Sequence, residues 1–103
     1  MNAREASEAI RAGALALDVR EQVEWDAGRI AGALHVPLNE LGLRYEELPR
    51  GRRIVCVCRS GGRSGMATQA LARAGLDIEN LDGGMKGWLA AGLPIEPAGG
   101  HVA

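Results

Sequence analysis

Two cysteines stand in the stretch "VCVCRSGGRSGMATQALARAG", Val55 to Gly75, and the second occupies a position where a thiol could react. Cys58 ends an apolar run rich in β-branched residues. Arg59, Ser60, Gly61, Gly62, Arg63 and Ser64 follow at once, ahead of a segment with helical periodicity. A strand–loop–helix junction of this composition builds an anion site. Gly61 and Gly62 can take positive φ and let successive N–H groups turn inward as a nest. The helix start, expected near Ser64, adds unpaired N–H groups and the positive end of its dipole. Arg59 and Arg63 add guanidinium charge. Each of these favours the thiolate over the thiol. A free cysteine titrates at about 8.5, and lowering that by about two units, worth about 2.7 kcal/mol, makes thiolate the majority form at neutrality.

The expected chemistry is therefore nucleophilic, with Cys58 attacking. A cysteine after a strand is by itself more often a small buried hydrophobe, and a glycine pair by itself is usually a turn. The conjunction of both with flanking arginines is what points to reaction. Cys56 lies inside the apolar run and reads as a core thiol.

The elements that must hold this loop follow from periodicity. "RRIVCV" is the clearest strand, since Ile54, Val55 and Val57 are β-branched and the run is too short to favour a helix. "ALALDV" (Ala14 to Val19), "ALHVP" (ended by Pro37) and "DIENL" supply three further strand candidates. Helices are expected after Asn2 as N-cap up to Ala12, over "REQVEWDAG", and over "LNELGLRYEEL", which an internal Gly42 weakens. Met66, Ala67, Ala70, Leu71 and Ala74 form one helical stripe, and Met85, Trp88 and Leu89 a last short one. Strands alternating with helices imply an α/β fold, a small parallel β-sheet flanked by helices on both faces. One domain is expected over residues 1–96, with residues 97–103 a flexible tail.

Composition narrows the function classes. The formal net charge of −1 argues against a nucleic-acid-binding surface. No apolar run is long enough to cross a bilayer, and the N-terminal residues lack the apolar core of a secretory signal. Two thiols without a disulfide framework fit a reducing, cytoplasmic location. A metal site on "CVC" with His35 or His101 does not match common zinc spacings, so no metal is expected. His35 reads as a partly buried strand residue, and His101 lies in the tail.

The loop "CRSGGRS" (Cys58 to Ser64) resembles the active-site loop of the rhodanese family of sulfurtransferases. "ALDVREQVEWDAGRIAGALHVP" (Ala16 to Pro37) is similar to that family's first signature, and "NLDGGMKGWLAAGLP" (Asn80 to Pro94) to its closing one. Arg29 stands where the family usually has histidine, and Ala31 where it has proline. The resemblance implies a single-domain enzyme that needs no cofactor. Its Cys58 takes sulfur from a donor such as thiosulfate and passes it, as a persulfide, to cyanide or a thiol. Thioredoxin or a sulfur-carrier protein could serve as acceptor. Arg59 is expected at the rim facing an anionic donor. Arg63 is expected to close the loop by pairing with an acidic residue, Glu24. Asp18 and Arg20 are expected to support the site from the end of the first strand, and Ser64 to begin the helix or hydrogen-bond the sulfur.

Two other classes compete. A rhodanese-like recognition module without activity commonly lacks the cysteine, which this chain retains. A cysteine phosphatase also uses a thiolate in an amide bowl, but the interval from Cys58 to Arg63 is five, one shorter than such enzymes use. The shorter loop should hold a single sulfur rather than a tetrahedral phosphate. Aryl phosphates should accordingly turn over near background in a phosphatase assay, and brisk turnover would favour the phosphatase.

Overall fold

Four short β-branched or leucine-rich runs form one sheet in the computed structural model, which describes residues 1–103. In chain order the elements are α1 (Ala3–Arg11), β1 (Leu15–Asp18), α2 (Gln22–Ala27), β2 (Leu34–His35), α3 (Leu41–Arg44), β3 (Ile54–Val57), α4 (Gly62–Arg73), β4 (Ile78–Asn80) and α5 (Gly84–Ala90). The strands pair in the order β2-β1-β3-β4, all parallel. The expected α/β architecture is present. The chain leaves β1 toward β2 on one side and returns to β3 on the other. The carboxyl ends of β1 and β3 thus form the crevice where open parallel sheets bind ligands.

Strand alternation sorts the core onto two faces. Ile54, Cys56 and Cys58 pack with Leu17, Val19, Ala67 and Leu71, on the side covered by α4. Val55 and Val57 pack with Ala6, Ala9, Met85 and Trp88, on the side of α1 and α5. All four residues of β3 are buried. This parity aims Cys58 at the start of α4 rather than at solvent.

Helix boundaries follow local chemistry. Asn2 caps α1 through a reciprocal box with Glu5, as its type suggests. The segment expected to be one helix over "LNELGLRYEEL" is instead α3 between two 3-10 turns, Leu38–Glu40 and Tyr45–Glu47. Gly42 weakens it, while the apolar anchors Leu41 and Leu48 still reach the core. The segment at 97–103 folds back on the body. His101 donates its amide to the Ala27 carbonyl at 2.9 Å, and Val102 packs against the face shared by α1 and α5.

α5 fixes the Cys58 loop from below. The amides of Met85 and Lys86 donate to the carbonyls of Cys58 and Arg59 at 2.8 and 3.0 Å. This approach needs a residue without a side chain at Gly84, where φ is +58° and a Cβ would lie 2.5 Å from the Cys58 carbonyl oxygen. Gly84→Ala should lower the unfolding free energy by about 2–4 kcal/mol in chemical denaturation, from overpacking plus left-handed strain. A loss below about 1 kcal/mol would mean that α5 can move away at little cost.

Candidate active site

Cys58 is 1 % exposed, so its sulfur sits where burial alone would keep it protonated. Polar donors reverse that preference. Gly61 takes φ +104°, and its N–H donates to Cys58 Sγ at 3.1 Å. Ser64 Oγ lies 3.2 Å from the same sulfur. Burial pushes the thiol up, but the Ser64 hydroxyl and the amides of Ser64, Gly61 and Ser60 together bring it below its ordinary value of 9.0. Cys56 shows what burial does without such a cradle: it is pushed up to about 12. Two thiols in one core cluster are thus separated in ionisation by the loop that follows β3.

The loop differs in detail from the sequence expectation. Only Gly61 of the glycine pair takes positive φ, and it serves as the N-cap of α4. The helix therefore begins at Gly62, two residues earlier than expected, and Ser64 lies in its first turn instead of capping it. That releases the serine hydroxyl for the sulfur. Ser60 is exposed at the loop's outer edge, with its amide among those that stabilise the thiolate.

Neither arginine hydrogen-bonds the sulfur. Arg63 Nη1 and Nη2 donate to the two carboxylate oxygens of Glu24 at 2.8 and 2.7 Å, a fork that ties the start of α4 to α2. Its charge still interacts favourably with the Cys58 thiolate. Arg59 Nε donates to the Ala103 carbonyl at 2.9 Å, so this side chain is engaged by the C-terminal segment. Beside the fork lies a cleft of about 290 Å³ lined by Val19, Glu21, Pro37, Leu38, Asn39 and Arg63. A larger apolar groove of about 410 Å³ runs between α3 and α4 past Met66, and Cys58 does not line it.

Asp18 and Arg20 are 1 % and 0 % exposed and form a buried ion pair. Arg20 Nη2 also donates to the Gly28 carbonyl at 2.7 Å, which closes the turn after α2. His35 Nε2 reaches the Arg20 carbonyl at 2.7 Å while its ring stacks on Trp25, so it braces the same turn. Arg29 lies over the Trp25 ring, 5.1 Å from its centroid, and its backbone bridges to Glu96. These groups shape the floor under α2, and none of them hydrogen-bonds the sulfur.

Sequence reasoning missed Asn80. At the end of β4, its Nδ2 donates to the Gly61 carbonyl at 3.2 Å and to Asp82 Oδ1 at 3.1 Å, and its Oδ1 contacts Ser64 Oγ. The only signal was its place at the head of the closing signature.

The sequence profile of the family described as "Rhodanese-like domain" matches residues 2–91. The chain is 39% identical over 82 residues to the "Sulfurtransferase" of Allochromatium vinosum, covering 79% of this chain and 77% of that protein. It is 45% identical over 83 residues to the "HTH-type transcriptional regulator Rv0324" of Mycobacterium tuberculosis; the match takes in 78% of this chain but only 36% of the regulator. Among solved structures, a rhodanese-related protein from Thermoplasma volcanium superposes with a TM-score of 0.88 at 35% identity, over 92% of this chain and 94% of that one. No helix is long and apolar enough to cross a membrane.

The Glu24–Arg63 fork has a pH signature. The Arg63 hydrogen bond, against an opposing burial effect, holds the Glu24 carboxyl down at about 2, from an ordinary 4.5. The stability it contributes is fully present above pH 4.5 and lost as the pH falls through about 2. Because Arg63 is 37% exposed, solvent screening limits that contribution to about 1–2 kcal/mol. Glu24→Gln should cost that much at neutral pH in thermal or urea unfolding, with the difference from wild type shrinking between pH 4.5 and about 2. A difference independent of pH would show that the fork does not stabilise through charge.

Proposed function

The chain belongs to the rhodanese-like domain family, and from that premise we propose that it moves a sulfane sulfur from a donor such as thiosulfate to a thiophilic acceptor. The observation that carries this reading is the pair of polar groups on the Cys58 sulfur, the Gly61 amide that donates to it and the Ser64 hydroxyl that can turn its hydrogen to it.

In the first step the Cys58 thiolate attacks the outer sulfur of thiosulfate. The donor's S–S bond breaks, sulfite leaves with its electron pair, and a Cys58 persulfide remains. The charge then sits on the persulfide's terminal sulfur, beside the loop amides that surround Cys58. In the second step an acceptor thiolate or cyanide attacks that terminal sulfur. The acceptor keeps the sulfur, and the Cys58 thiolate returns with the bonding pair. Balance is complete without an external oxidant. The cycle is ping-pong and uses no metal or organic cofactor.

Burial bears on the choice of partner. Because Cys58 is 1 % exposed, a small anion or a small thiol meets the demand for entry most easily. A thioredoxin or a sulfur-carrier protein must present its reacting sulfur on a protruding segment. Arg63, beside the cleft at the start of α4, supplies positive charge for the incoming anion. Arg59 can reach a donor only by giving up its bond to Ala103. We place the chemistry in the cytoplasm, where thiols remain reduced.

Incubation with thiosulfate should add the mass of one sulfur atom to the intact protein, removable by cyanide. Cys58→Ser should abolish both this loading and sulfur transfer, while Cys56→Ser should retain most activity. Equal loss in the two variants, or an unchanged mass in the wild type, would overturn the reading.

A further inference from the structure

Ser64 is 0 % exposed, and its hydroxyl oxygen touches two groups that can accept a hydrogen, Cys58 Sγ at 3.2 Å and Asn80 Oδ1 at 2.5 Å. A hydroxyl has one hydrogen to give. Which acceptor receives it depends on how Asn80 is oriented, and its far end settles that. Both amide hydrogens have partners there, the Gly61 carbonyl and Asp82 Oδ1. Turning the amide over would set its oxygen against two other oxygens. Oδ1 therefore faces Ser64, and two oxygens so close need a hydrogen between them. Only Ser64 can provide it. In that arrangement Ser64 turns a lone pair to the sulfur, which suits a neutral S–H. To support a thiolate the hydroxyl must swing its hydrogen to Sγ, and Asn80 Oδ1 is then left without its donor.

We propose that Asn80 is a positioning residue that competes with Cys58 for the single hydrogen of Ser64 and so sets the balance between thiol and thiolate. The proposal rests on the reading of Cys58 as the sulfur carrier and deepens it. Competition has a chemical use: a thiolate stabilised too well becomes a weaker nucleophile. Asn80 limits that stabilisation while its clamp on the Gly61 carbonyl holds the loop in shape.

Other charges surround the sulfur. Cys56 lies on its own strand, and Arg63 approaches from α4 while paired with Glu24 of α2. The Asp18–Arg20 pair stands at the end of β1, Arg59 is held by Ala103, and Asp82 pairs with the Met1 ammonium beyond Asn80. These are the same with or without the Ser64 hydroxyl, so a double-mutant cycle separates the competition from them.

The test is the pH dependence of Cys58 alkylation, followed by peptide mass, in wild type, Asn80→Ala, Ser64→Ala and the double variant. Removing Asn80 should raise the thiolate-to-thiol ratio by roughly tenfold more when Ser64 is present than when it is alanine. An equal change in both backgrounds, or none in either, would overturn the proposal. Cooperative thermal melts check folding, and Asn80→Leu, which keeps the branched shape, takes the place of an alanine variant that does not fold. Sulfur loading is scored separately, so a wild type that titrates as expected but takes no sulfur from thiosulfate would contradict the functional reading and leave the competition standing.

Discussion

A buried sulfur can hold negative charge only where hydrogen-bond donors replace the water it has lost. In this chain the replacement is local and small: the Gly61 amide at 3.1 Å and, when its hydrogen turns from Asn80, the Ser64 hydroxyl at 3.2 Å, with the Ser60 and Ser64 amides beside them. Cys56, on the strand that leads into Cys58 and in the same core cluster, receives too little of this and is pushed the other way. The contrast isolates the cause. Burial is common to both thiols, so the loop decides which one is favoured as thiolate.

Three elements keep those donors aimed, each by a different kind of contact. From α2, Glu24 grips Arg63 and fixes the first turn of α4. From the end of β4, Asn80 holds the carbonyl of Gly61, the residue whose positive φ turns its amide inward. From α5, two amides bind the carbonyls of Cys58 and Arg59 across a contact too close for any residue but glycine at position 84. The buried Asp18–Arg20 pair acts one layer further out, by bracing the turn after α2. The loop is thus held from three directions while its sulfur contacts remain few, which is how a preorganised site is built.

Much of this architecture was legible in the sequence, for identifiable reasons. β3 is β-branched and bounded by arginines and a glycine loop, so its type and its end were clear, and with them the place of Cys58. The alternation of strands and helices sufficed for a parallel sheet. What escaped depended on backbone angles or on distant contacts. That Gly61 alone adopts positive φ, moving the start of α4 to Gly62, is a matter of one torsion. Asn80 meets Ser64 only because β4 docks beside β3, sixteen residues away along the chain. The direction of Arg59 depends on where the C-terminal segment comes to rest. Gly42 was visible as a weakness in its helix, but not the outcome of α3 between two 3-10 turns.

The central claim is that the loop favours the Cys58 thiolate despite burial, while burial keeps its neighbour protonated. The most direct measurement is the alkylation rate of each cysteine in the wild-type protein as a function of pH, resolved by peptide mass. Cys58 should react with a midpoint below the ordinary thiol value of 9.0, and Cys56 should stay inert until far higher pH. A Cys58 midpoint at or above 9.0 would contradict the account, because burial would then have outweighed every donor the loop provides.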